Sequence, residues 1–126
     1  MQSKKRLVLI ILGFLFFFCT SCGVNPLRPN IITNLRFSPD TFDSYKRNTS
    51  LKYTLLKQAE VSIHIYDANG NLVKTLLENL KETKGTHSHG WLGISDKGFF
   101  VPVGVYLAKV KADYDEAYAI VEIFHF

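Results

Sequence analysis

The chain has 126 residues, of which 47% are hydrophobic, 13% aromatic and 21% charged, a globular composition long enough for one domain and too short for two. Its formal charge is +4, but Lys4, Lys5 and Arg6 cluster ahead of an apolar run, and beyond residue 21 the other 105 residues carry 12 basic against 11 acidic side chains. A body at net +1 gives no electrostatic basis for binding nucleic acid.

Met1 to Arg6 form a positive leader, Leu7 to Phe18 an almost unbroken apolar stretch, and Cys19-Thr20-Ser21-Cys22-Gly23 a zone of small residues. That order is the pattern of a secretory signal peptide over 1–21. The apolar stretch is about a dozen residues, short of the roughly 20 that a bilayer-spanning helix needs. The end of the segment resembles the lipobox of bacterial lipoproteins, in which a small residue precedes a cysteine that is diacylated and becomes the mature N-terminus. The resemblance makes Cys22 the lipidation site, with Ser21 and Thr20 before it, although Cys19 stands where that family usually has leucine. Gly23 replaces the Asp that marks inner-membrane retention in enteric-type bacteria, so the resemblance implies an exported, outer-membrane lipoprotein. The body from Gly23 onward has no cysteine, and no disulfide can staple its fold.

Residues 22–30 form the lipidated N-terminus and a linker, since Pro26 and Pro29 favour extended backbone and cannot join a ladder. The eight residues Gly23 to Asn30 reach roughly 28 Å at most, which holds the rest of the chain close to the membrane.

From Ile31 to Phe126 the apolar pattern has period two. Leu51, Tyr53 and Leu55 alternate with Lys52 and Thr54, Val61, Ile63 and Ile65 with Ser62, His64 and Tyr66, and Tyr106, Ala108, Val110 and Ala112 with Leu107, Lys109 and Lys111. These are half-buried strands. Turn chemistry separates them at Ser38-Pro39-Asp40, Asp67 to Asn71, Lys84-Gly85, Ser95 to Gly98 and Pro102. Asn69-Gly70 predicts a two-residue hairpin turn, because both residues tolerate positive φ. The alternation predicts strands near 31–37, 49–55, 60–66, 72–78, 86–91, 103–112 and 116–125. Leu76, Leu77 and Leu80 sit near helical spacing, which leaves a helix over 74–83 as an alternative. Seven short strands predict an all-β, antiparallel sandwich of the immunoglobulin or fibronectin-III type.

Ser38-Pro39, Leu51 to Leu55, Val61 to Leu76, Gly85, Trp91, Asp96-Lys97-Gly98 and Val103 to Tyr106 form an ordered set. This set resembles the FlgD/Vpr-type Ig-like domain, and is similar to the C-terminal sorting domains of type IX secretion substrates. The family commonly has Trp-Asp-Gly where this chain has Trp91-Leu92-Gly93. On this reading Trp91 is the large core aromatic and Tyr106 an anchored phenol, while Gly70, Gly98 and Gly104 serve turns or close backbone approach. The resemblance implies a scaffold or interaction module and no reaction.

His89 takes an inward position that the family usually fills with an aliphatic residue. In apolar surroundings burial would disfavour its imidazolium and make stability rise with pH. His87 and His89 share one strand face at a spacing that can chelate a transition metal, but His64 and His125 cannot be placed beside them, so no metal or other cofactor is expected. Asp67, Asn69, Asn71 and Glu78 fall at EF-hand-like positions, with Leu72 where glycine is required, and a hairpin turn accounts for them better than calcium. Asp113, Asp115 and Glu116 read as a solvated hairpin loop. No nucleophile elbow, HExxH pair, phosphate loop or carboxylate pair in a polar setting is present, so no enzyme activity is expected. Phe99-Phe100-Val101-Pro102 is the candidate interaction surface, since consecutive aromatics point to opposite sides.

The expectation is a non-catalytic structural or protein-interaction module in the bacterial envelope. Its partners would be the membrane, through the lipid, and an unidentified envelope or extracellular protein. The alternative is a carbohydrate-binding module whose exposed aromatics stack on a glycan.

Overall fold

The computed structural model describes residues 28–125; the expected signal peptide and lipobox and most of the expected linker fall within residues 1–27, outside the described part, and Phe126 lies outside it too. Eight strands follow one another: β1 (Ile32–Ser38), β2 (Thr41–Asp43), β3 (Thr49–Leu55), β4 (Ala59–Tyr66), β5 (Leu72–Glu82), β6 (Gly85–Trp91), β7 (Gly104–Ala112) and β8 (Asp115–Phe124). Among the described residues there is no helix. The strands form a three-stranded sheet in the order β1-β3-β6 and a five-stranded sheet in the order β2-β8-β7-β4-β5. The described part is therefore the predicted all-β sandwich, with each of the seven expected strands in place and β2 as an eighth.

Alternation builds the core. β3 turns Leu51, Tyr53 and Leu55 inward, β4 Val61, Ile63 and Ile65, β7 Tyr106, Ala108 and Val110, and β8 Val121 and Ile123, all buried. Each large aliphatic side chain so buried contributes about 1.5–3 kcal/mol. The helix alternative over 74–83 fails because β5 is a continuous strand on β4. Irregularities in that pairing, with Asn79 at φ 51°, let Leu76 and Leu77 both lean on the core.

The predicted two-residue turn at Asn69-Gly70 is replaced by a five-residue connection, 67–71. The Asp67 side chain accepts from the Asn69 and Asn71 N–H groups (2.9 and 3.0 Å), and the Gly70 N–H donates to the Asp67 carbonyl (3.0 Å). These bonds favour the ionised carboxylate and hold the Asp67 carboxyl below its usual range. Gly70 alone takes positive φ (84°), so the turn needs one left-handed residue and not two. Glu78, the fourth residue of the EF-hand-like pattern, pairs instead with His64 across β4 and β5 (3.0 Å).

The β7–β8 hairpin is tied down more firmly than a solvated loop. Asp113 Oδ1 accepts from the Glu60 N–H (2.9 Å), and Asp115 Oδ2 accepts from the N–H groups of Ile31 and Ile32 (2.8 and 2.9 Å). Tyr114 donates to the Pro29 carbonyl (2.7 Å), and the Arg28 guanidinium lies over its ring (5.2 Å). These contacts fix the point at which the N-terminal segment enters the domain.

Candidate functional site

β7 runs from Gly104 away to Ala112, a rise of about 27 Å, and β8 returns over the same length. The N-terminal entry sits at the Ala112 and Asp115 end. The β6–β7 connection, residues 92–103, lies at the other end beside the last residues of β8.

That far pole carries the aromatic residues. Ile94 and Phe100 form an isolated bridge, closed by the turn Ser95 to Gly98, in which the Gly98 N–H donates to the Ser95 carbonyl (2.9 Å) with Gly98 at φ 90°. Asp96 fastens this small hairpin to the β5 edge: its carboxylate accepts from the Thr75 N–H (3.1 Å), and its own N–H donates to the Val73 carbonyl (2.9 Å). Both rings offered by the sequence are exposed, Phe99 at 72% and Phe100 at 48%. Phe100 stands edge-on to Tyr45 (4.9 Å), and Tyr45, itself 61% exposed, stacks on His125 (3.8 Å). His125 in turn bonds the Ser44 hydroxyl (2.9 Å). Tyr45 and His125 join the surface from positions remote in sequence, and no local signal links them to Phe100.

Two features below the surface hold it rigid. Trp91 is buried between the sheets, edge-on to Phe42 (6.2 Å) and Tyr106 (5.6 Å), and its indole N–H donates to the Ile94 carbonyl (3.0 Å). Tyr106 is also buried and donates to the Pro102 carbonyl (2.6 Å), pinning the other end of the connection. Gly93 has φ 75°, and a Cβ there would stand 2.6 Å from the Ser44 Cβ, so only glycine lets the two loops meet. Leu92, where the family commonly has Asp, is exposed and adds to the apolar surface of this pole. Of the other glycines, Gly104 opens β7 at φ 147°.

The paired histidines occupy a different place, the open side of the sandwich where the chain crosses from β5 to β6. His87, His89 and Trp91 share the inward face of β6, but the apolar surround expected for His89 is absent. Glu82, at the end of β5, is buried there, with its carboxylate 2.8 Å from His89 Nε2 and 3.7 Å from His87 Nδ1. The expected rise of stability with pH rested on that surround and loses its basis. The Tyr53 hydroxyl donates to the other oxygen of Glu82, and His87 Nε2 donates to the Thr83 carbonyl (2.7 Å). Both imidazoles therefore spend a ring nitrogen within the fold. Among the described residues no group of three or more His, Cys, Asp or Glu is arranged to hold a metal.

Burial, reinforced by the adjoining Glu82 carboxylate, pushes the Tyr53 phenol well above its usual value. Above about pH 10 the unfolded chain gives up this proton while the folded one keeps it, so stability falls as pH rises beyond that point. The expected slope is at most about 1.4 kcal/mol per pH unit. Urea unfolding of Tyr53→Phe from pH 9 to 11.5 should lack this component, and equal alkaline slopes in both proteins would refute it.

Among known families, the model of the FlgD Ig-like domain matches residues 40–116. The chain belongs to the FlgD Ig-like domain family. No curated protein matches it. The FlgD Ig-like domain is a non-catalytic type, a structural or interaction module, and the match begins at Asp40, ahead of β2. It covers Trp91, Phe99, Phe100 and Tyr106 and ends just past the β7–β8 turn.

Proposed function

We propose that this FlgD Ig-like domain is a non-catalytic, lipid-anchored module of the bacterial envelope that presents its aromatic pole to a partner protein. The carrying observation is polarity. The N-terminal segment enters beside Tyr114 and Asp115, whereas Tyr45, Phe99 and Phe100 lie about a strand length away at the opposite end. An anchor at Cys22 would then hold one pole at the membrane and turn the aromatic pole outward. Aromatic side chains are the residue class that interface centres favour. Two exposed rings, Phe99 and Tyr45, also suit a flat sugar face, which makes glycan binding the second reading.

Two measurements test the proposal. Fatty-acid labelling should vanish in Cys22→Ser and persist in Cys19→Ser, with Cys22→Ser released from the membrane fraction; unchanged labelling would refute the anchor. Two or three acyl chains make spontaneous detachment negligible, at about 0.8 kcal/mol per buried methylene. A photo-crosslinker at Phe99 should capture a defined envelope protein in cells, with capture lost in Tyr45→Ala and Phe100→Ala. No protein capture, together with peptidoglycan or glycan retention that those substitutions abolish, would decide for the carbohydrate reading.

A further inference from the structure

The outer edge of β8 is only partly covered. β2 pairs with it at Thr41↔Glu122, Phe42↔Ile123 and Asp43↔Phe124 and goes no further, which leaves Asp115 to Val121 paired with β7 alone among the described residues. β7 and β8 pair without a bulge over their whole length, so the alternation of main-chain groups along β8 is regular. The Glu122 N–H donates to the Asp40 carbonyl on the β2 side (2.9 Å). Counting back by twos, Ile120, Tyr118 and Glu116 also direct their N–H and C=O groups to the open edge. The open stretch contains no proline and no lysine, two of the devices that blunt an edge strand.

The same residues carry the outward side chains. Tyr118 is 54% and Ile120 62% exposed. Ile120 lies opposite Leu107, and Leu107 opposite Tyr66, so an apolar row crosses three strands of the outer face and reaches the open edge.

We propose that this edge pairs with the same edge of a second copy of the chain, antiparallel about a two-fold axis at Tyr118, so that two five-stranded sheets become one. The register follows from the fold. The open stretch from 115 to 121 is bounded by β2 at one end and the β7–β8 turn at the other, and Tyr118 is its centre. Tyr118 then faces Tyr118 of the second copy, and Glu116 faces Ile120 of the second copy in both directions. Each of these is a pair whose members point their main-chain groups at one another and exchange two hydrogen bonds. No like charges meet, and Glu116 is already neutralised by Lys109 on its own chain (3.5 Å). Shifting the axis to Ala119 would instead set Glu116 against Glu122 and collide with β2. An open edge meeting its own copy satisfies donors and acceptors that otherwise face water, and it sets the exposed Tyr118 ring beside its counterpart. The inference goes beyond the proposed anchoring and aromatic pole and depends on neither.

The test uses the full-length chain with Cys19→Ser and Cys22→Ser in detergent, so that an introduced thiol is the only one. Sedimentation equilibrium at submillimolar concentration should give twice the monomer mass. Ile120→Glu, at an exposed position, sets a carboxylate directly against Glu116 of the second copy and should give monomer with unchanged circular dichroism. Tyr118→Pro removes an N–H that faces the open edge and not β7, a placement edge strands tolerate, and should act likewise; should it fail to fold, Ile120→Glu decides. A mixture of Glu116→Cys and Ile120→Cys should form a disulfide, since their Cα atoms would be about 5.5 Å apart. Glu116→Cys alone should not, its copies being about 14 Å apart. A monomeric parent chain, a dimer that survives Ile120→Glu, or equal cross-linking in the single variant and the mixture would overturn the proposal.

Discussion

Replacing Trp91 by alanine is expected to cost about 3–5 kcal/mol, the usual loss when a large buried aromatic is truncated. The ring is buried against Phe42 of β2 and Tyr106 of β7, so it fills space between β6 and the larger sheet. Neither neighbour can fill the void: Tyr106 is held by its bond to the Pro102 carbonyl, and Phe42 sits on a three-residue strand pinned to β8. The indole N–H also holds the Ile94 carbonyl, so the substitution frees the connection that carries Phe99 and Phe100. A domain of this size has roughly 5–15 kcal/mol in all, and the urea midpoint should fall by about 2 M. Trp91 is the chain's single tryptophan, so unfolding must be followed by circular dichroism and not by indole fluorescence. A loss below about 1 kcal/mol would mean that the ring does not support the core.

Glu82→Ala should be nearly as damaging, at about 3 kcal/mol, although one charged residue at a strand end looks dispensable in sequence. The carboxylate is buried and takes the protons of Tyr53 and His89. Its removal leaves a fully buried phenol and a largely buried imidazole with one hydrogen bond between them (3.1 Å) in place of two to the carboxylate, and breaking one member of a buried charged set costs more than the set itself contributes. Glu82→Gln keeps an oxygen for the Tyr53 hydroxyl and should lose roughly half as much. The triple replacement Tyr53→Phe, Glu82→Leu, His89→Val removes every stranded group and should recover most of the loss. Chemical denaturation of the four proteins at pH 7 checks the order. Glu82→Ala within about 0.5 kcal/mol of the parent would show that Tyr53 and His89 are satisfied by one another and by water.

Both positions show where local reading ends. Trp91 could be read as a core aromatic from the alternation around it. Glu82 could not be read as the partner of His89, because the turn at Thr83-Lys84 carries the chain from one sheet to the other and folds two residues seven apart onto one another. His89 alone therefore suggested an apolar site. β2 escaped for a different reason: three residues are too few for a period, and the strand exists because β8 offers an edge there. Tyr45 and His125 likewise carry no mark of their meeting.

What the sequence by itself determined was the local grammar of this domain: alternating side chains that have one buried face, turns where glycine or an Asx side chain is needed, and hence all-β strands and the family they belong to. These depend on interactions a few residues apart, which the order of residues states directly. Only the tertiary structure decided which strands share a sheet, which edge of β8 stays open, which carboxylate meets the histidines and which rings gather at the far pole. Those pairings join residues more than eighty positions apart. They are chosen by the packing of the whole sandwich, in which each contact is possible only when the others are made.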